Sequence, residues 1–200
     1  MDKWKIVLIV VLLGGLAGYG FYQQAMLGET PVDIETTPPP AEDPTKGPFV
    51  GKPAAAWNIP AGSWMNTPQP ISLKDVKGHV TVIEFFRIEC PHCEDAVPFM
   101  RSLYTKYQPQ GLRIVAFQSP GDAPSENDWK KVQATLRRWN VNYPVAFDKN
   151  ADFFTKKYKG DTYPTVFVVD EKGIIRYQET GYDEATAKSL ESFIVKSLKK

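Results

Sequence analysis

Val80-Thr81-Val82-Ile83-Glu84-Phe85-Phe86-Arg87-Ile88-Glu89-Cys90-Pro91-His92-Cys93 joins an apolar, β-branched run to a pair of cysteines. Val80–Phe86 reads as a strand buried on both faces, because it is a short and nearly continuous apolar run. Beyond it the period changes. Val97, Met100, Leu103, Tyr104 and Tyr107 recur at helical spacing, which predicts a helix from Cys90 to about Gln108. The cysteines therefore stand where a buried strand hands over to a helix. Cys90 falls at the helix N-terminus, where free N–H groups and the helix dipole favour a thiolate. Pro91 suits the first turn, since its missing N–H has no helical partner to lose there. Cys93, one turn further on, is close enough to attack a mixed disulfide formed on Cys90.

Glu84 sits inside the apolar run, six residues before Cys90. Strand alternation puts it on the face of Val82 and Phe86. A carboxyl in such a setting resists ionisation, so its pKa is expected to rise and the group to take the Cys93 proton during resolution. The competing reading is an edge strand with Glu84 in water.

Other uses of two cysteines fit less well. A purely structural disulfide would close a very short loop, with little entropic gain. A structural zinc site wants four ligands, and only His79 and His92 accompany the thiols. Haem attachment needs a histidine after the second cysteine, where Glu94 stands. Two soft thiolates suit Cu(I), which leaves a non-enzymatic copper carrier as an alternative. No metal or other cofactor is assigned to the chain.

Outward from this segment the pattern alternates. Leu112–Phe117 reads as a strand, Ser125 as the N-cap of a helix to about Trp139, and Pro144–Asp148 as a short strand. A short helix around Phe153–Tyr158 follows, then a strand at Pro164–Asp170. Glu171-Lys172-Gly173 turns that strand into Ile174–Gln178, a hairpin signal, and Asp183 opens a last helix with Leu190, Phe193, Ile194 and Leu198 on one face. The series predicts an α/β fold with a mixed sheet and helices on both faces. Tyr163-Pro164-Thr165 begins the strand before the hairpin, and a cis bond there would bring its backbone against Cys90. Tyr143-Pro144 is an equal candidate on these grounds.

The front of the chain is different. Lys3 and Lys5 precede an apolar run, Ile6–Tyr22, of 17 residues interrupted only by glycines, which is long enough for a short membrane helix. The next basic residue is Lys46, so the positive-inside rule places the N-terminus in the cytoplasm and the remainder outside. A cleaved signal peptide is the alternative. Residues 28–46 carry prolines and acids and form an extended linker. The expected organisation is an anchor at 1–27, this linker, and a folded domain at 47–200. Among all 200 residues, 42% are hydrophobic and 24% charged, enough for one core; the net charge of +1 gives no pull towards nucleic acid. Two cysteines are too few for a disulfide-stapled scaffold.

The segment Val82-Ile83-Glu84-Phe85-Phe86…Cys90-Pro91-His92-Cys93…Pro98 resembles the active-site segment of thioredoxins, which place a buried acid six residues before the first cysteine and a proline five after the second. Tyr163–Gly173 resembles their cis-proline strand and hairpin. The long stretch between Leu112 and Asp161 is similar to the central αβ insert of the TlpA/ResA-like branch, which is membrane-anchored and extracytoplasmic. The leader Ile71–Gly78 also looks like that branch. The resemblance covers about residues 47–200. It implies a thioredoxin fold, a nucleophilic Cys90, a resolving Cys93, a proton-handling Glu84, a cis Pro164, and substrate backbone bound around Tyr163, Pro164 and Thr165. It further implies thiol–disulfide exchange on exported proteins in the periplasm, reductive as in cytochrome c maturation, with a membrane protein supplying electrons.

Two departures bear on direction. Glu89 replaces the usual tryptophan before the first cysteine. Pro91-His92 matches the oxidising DsbA rather than thioredoxin. His92 stabilises a thiolate on Cys90 and favours an oxidant, whereas Glu89, Glu94 and Asp95 oppose one. An oxidising, disulfide-introducing protein is therefore the near alternative. Peroxiredoxin chemistry lacks its threonine or serine setting, since Phe86-Arg87-Ile88-Glu89 precedes Cys90.

Overall fold

The computed structural model describes residues 43–199. The run Ile6–Tyr22 and nearly all of the linker lie outside them. Among the described residues, no helix is long and apolar enough to cross a membrane.

The strands are β1 (Trp64–Met65), β2 (Thr81–Phe86), β3 (Arg113–Gln118), β4 (Val145–Phe147), β5 (Thr165–Val169) and β6 (Ile175–Thr180). They form one sheet in the order β1-β4-β3-β2-β5-β6. β2 pairs parallel with β3, and β3 parallel with β4. β5 runs antiparallel to both β2 and β6, and β1 antiparallel to β4. This is the mixed sheet expected from the alternating pattern. β2 is interior, flanked by β3 and β5, which is why its six residues are all buried and read as an unbroken apolar run.

The α-helices are α1 (Leu73–Val76), α2 (Pro91–Tyr107), α3 (Trp129–Arg138), α4 (Asp152–Tyr158) and α5 (Glu184–Leu198). They divide between the two faces. Cys93, Val97, Met100 and Leu103 of α2 pack with Val132 and Leu136 of α3 and with Leu190 and Ile194 of α5 against Val82, Phe86 and Ile114. Phe153, Phe154 and Tyr158 of α4 pack on the other face with Trp57, Ile83, Phe85, Phe117 and Phe167. The alternation of β2 thus sends Val82 and Phe86 to one layer and Ile83 and Phe85 to the other.

The local signals explain the ends of these elements. Asp183 caps α5 by accepting from the Thr186 N–H at 2.7 Å, in a reciprocal capping box. Gly111, at φ +101, makes the left-handed turn from the end of the α2 segment into β3. One boundary differs from expectation. Ser125 lies in a 3-10 turn, Pro124–Asn127, and α3 starts later, with Asp128 as its N-cap. The Asp128 carboxylate accepts from the N–H groups of Lys130 and Lys131, and a carboxylate outcompetes an upstream hydroxyl for those donors.

Candidate active site

Cys90 is the N-cap of α2, in extended backbone, and Pro91 opens the helix. Both cysteines are free thiols. Their exposures differ: Cys90 is 8% exposed and Cys93 1%. Of the two sulfurs, that of Cys90 is the nearer to solvent. The Cys90 thiol donates to the Tyr163 carbonyl at 3.7 Å, across the opening of the helix. The Tyr163–Pro164 peptide bond is cis; Tyr143–Pro144 is not among the cis bonds of the described residues.

Cys93 lies one turn deeper. Burial, above all, pushes its thiol well up from the ordinary range; a hydrogen bond with Cys90 and the charge of Glu84 add to this. The backbone N–H of Arg87 opposes them by hydrogen-bonding the sulfur. A thiol held so firmly protonated resolves a mixed disulfide only when a base takes its proton.

Glu84 lies close enough to Cys93 for its charge to act on the thiol. It is 2% exposed, on interior strand β2, opposite Ala116 on one side and Val166 on the other. This excludes an edge position in water. Burial pushes its carboxyl up to about 8, while a hydrogen bond from the Tyr143 hydroxyl pulls the other way. Its Oε2 has no partner. Glu84 also lines a narrow cleft with Phe99, Pro164, Val166, Glu179 and Tyr182.

The remaining sequence-derived residues divide. Pro91 and His92 are exposed at the start of α2. Tyr163 is half-buried, its ring 5.0 Å from Phe154 and capped by the Arg87 guanidinium at 5.2 Å. Pro164 is buried behind it. The Thr165 hydroxyl turns into the fold, donating to the Thr162 carbonyl at 2.8 Å with the Thr180 hydroxyl 3.3 Å away. Cys90, Tyr163 and Pro164 are thus brought together, whereas the Thr165 side chain is used by the sheet.

Three further residues complete the setting. Tyr143, fully buried before β4, bonds Glu84. Glu126, 1% exposed, accepts the N–H of Gly121 at 2.7 Å and of Glu89 at 3.3 Å, and pairs with Arg87 at 3.6 Å. Ser125 donates to the Glu89 carboxylate at 2.6 Å. In the sequence Tyr143 reads only as a second Tyr-Pro, and Glu126 as a first-turn residue of the helix that Ser125 would cap. An aromatic hydroxyl beside a short strand and one acid at a helix start carry no local mark of where they end up. Among the described residues, no cluster of three or more histidine, cysteine or acidic side chains is arranged to hold a metal ion.

A two-cysteine helix start against a cis-proline loop, on a mixed sheet with helices on both faces, defines the thioredoxin-like class. Comparison with known proteins agrees. The Redoxin family model matches residues 54–194. The chain is 27% identical over 190 residues to thiol-disulfide oxidoreductase ResA of Bacillus cereus, covering 95% of this chain and 93% of that one. It is 30% identical over 124 residues to protein DipZ of Mycobacterium bovis, covering 59% of this chain but 17% of DipZ, so it spans about a sixth of that protein's length. The crystal structure of StoA from Bacillus subtilis superimposes with a TM-score of 0.57 at 24% identity, over 73% of this chain and 98% of StoA, a likeness of fold. The chain belongs to the Redoxin family, and within the thioredoxin superfamily it is an oxidoreductase of the TlpA/ResA-like kind.

Proposed function

We propose that this chain exchanges disulfides with exported proteins in the reductive direction, tethered by its apolar N-terminal run with the catalytic domain outside the cytoplasm. The observation that carries the reading is the pairing of a reachable Cys90, held against the Tyr163 carbonyl, with a buried Cys93 beside Glu84. The Cys90 sulfur attacks a substrate disulfide, and the first substrate sulfur leaves with the electron pair and takes up a proton. Glu84 then accepts the Cys93 proton, the Cys93 sulfur attacks Cys90, and the second substrate thiol is released. The chain is left oxidised and is re-reduced by two electrons from a membrane dithiol protein.

The surroundings support the reductive direction. A strong oxidant stabilises its dithiol form through an ionised thiol. Here Glu89, Glu94 and Asp95 set three acidic side chains beside the two-cysteine motif, and negative charge there opposes an ionised thiol. The oxidising alternative rests on the Pro91-His92 dipeptide.

Equilibration of the full chain with glutathione or dithiothreitol buffers tests the direction. A potential near or below thioredoxin's, about −270 mV, is expected; one near DsbA's, about −120 mV, marks a disulfide-introducing protein instead. Cys90→Ser is expected to abolish insulin reduction, and Cys93→Ser to accumulate mixed disulfides. Exchange surviving in Cys90→Ser would sink the assignment. Protease added to intact spheroplasts is expected to digest the domain, and protection would place it inside.

A further inference from the structure

We propose that Tyr143 is a positioning residue for the exchange reaction: its hydroxyl orients the Glu84 carboxyl and stabilises its charged form, so that the acid can take the proton of Cys93. The inference rests on the exchange reading above and adds to it a contribution from the segment between β3 and β5.

The geometry comes from the sheet. In register, Glu84 of β2 lies opposite Ala116 of β3, and Ala116 opposite Val145 of β4. Tyr143 is two residues before Val145 and shares its layer of the core. Two strand spacings, about 10 Å, separate β2 from β4. Ala116 contributes only a methyl group to that gap, which leaves room for the Tyr143 side chain to reach across it, and its hydroxyl hydrogen-bonds the Glu84 carboxyl. A larger residue at position 116 would fill the same space.

Tyr143 is itself held in place. Its carbonyl accepts from the Asn66 amide at 3.1 Å, and the same amide donates to the Val141 carbonyl at 2.8 Å. Tyr104 of α2 meets its ring edge-on at 6.4 Å. The hydroxyl is thus presented from a fixed ring, while Oε2 of Glu84 stays without a partner and free to take a proton. The other groups facing the pair are Cys93 and Arg101 of α2 and, across the cleft that Glu84 lines, Glu179 of β6 and Tyr182. Cys93 and Arg101 act on Tyr143 in opposite senses.

In the resolving step Glu84 gains the Cys93 proton, a Cys93–Cys90 S–S bond forms, and the Cys90–substrate S–S bond breaks with its electron pair leaving on the substrate sulfur. A hydrogen bond donated to the carboxylate lowers its proton affinity. Without that bond Glu84 holds its proton to higher pH and is a working base over less of the neutral range.

The test is Tyr143→Phe in the full reduced chain, which removes one oxygen and keeps the ring. The Glu84 carboxyl band, assigned in difference infrared spectra by its loss in Glu84→Gln, is followed against pH. Its midpoint is expected to rise by about one pH unit, a tenfold gain in proton affinity. The pH profile of mixed-disulfide resolution is expected to move with it. In a Glu84→Gln background the same substitution should leave that profile unchanged. An unmoved Glu84 midpoint, or a resolution profile that ignores the substitution, overturns the proposal.

If Tyr143→Phe does not fold, the unaltered chain still decides the point. With ring-deuterated tyrosine, one tyrosine band must change as Glu84 titrates, and its absence overturns the proposal. A midpoint that moves in a chain unable to exchange disulfides rejects the exchange function and leaves the Tyr143–Glu84 contact standing. Active exchange with an unmoved midpoint does the reverse.

Discussion

Burial holds the Glu84 carboxyl at about 8 in the folded chain, so near neutrality it is mostly protonated with a fraction ionised, whereas it ionises near 4.5 when unfolded. Below about 4.5 the carboxyl is protonated in both states. Between the two values the folded state binds the extra proton, so stability falls as pH rises and levels off above about 8. The full span amounts to a few kcal/mol at most, on the order of 1.4 per pH unit. Asp148, also raised by burial, adds a slope of the same sign. Glu84→Gln isolates the Glu84 share: its unfolding free energy, measured by urea titration from pH 5 to 8, is expected to fall less steeply than that of the unaltered chain. The same variant is expected to slow resolution by Cys93 about 100-fold near neutrality, the low end of what a positioned base contributes. Glu84 itself is legible in the sequence, because an acid inside an apolar run is anomalous wherever the chain folds. Tyr143 is not, because its partner is met only through two strand pairings.

At the scale of elements, the start of α2 is held by a loop that precedes α3. Glu126 reaches the Glu89 and Gly121 amides and the Arg87 guanidinium, and Arg87 in turn covers Tyr163. Gly121 makes room for this, since a Cβ there would run into the Arg87 guanidinium. Glu126→Ala leaves two amides without their acceptor and a guanidinium without its counter-charge, and is expected to cost on the order of 2 kcal/mol in denaturant unfolding. The exposure of Arg87 to solvent keeps the loss below that of a fully buried pair. A loss under about 0.5 kcal/mol would show the loop to be held by other contacts. The helix of α2 was readable from apolar spacing and from Pro91. The late start of α3 was not, because Ser125 and Asp128 are both good N-caps and only the three-dimensional path of the Pro124–Asn127 turn selects between them.

Across the whole molecule, the layer opposite the cysteines is aromatic. Phe85 is fully buried at its centre, with ring centroids 4.4 Å from Phe154, 5.3 Å from Phe117 and 5.1 Å from Tyr158. β2 carries Phe85 towards this layer and Glu84 towards the other, so one strand ties the packing to the site. Phe85→Ala is expected to cost about 3–5 kcal/mol, read as a lower urea midpoint. A loss below about 1 kcal/mol would mean that α4 repacks over the gap.

The sequence alone determined the features whose cause is local: the strand-to-helix handover at Cys90, the run of β2, the hairpin at Glu171–Gly173 and the acid misplaced among apolar neighbours. Each depends on residues within a few positions of one another, where periodicity and cap chemistry act directly. The tertiary fold decided which distant groups share a site. It set Tyr163 rather than Tyr143 against Cys90, turned the Thr165 hydroxyl into the sheet, and brought Tyr143 and Glu126 to Glu84 and Arg87. Those contacts follow from strand order and register, which are properties of the whole sheet and are written in no single stretch of the chain.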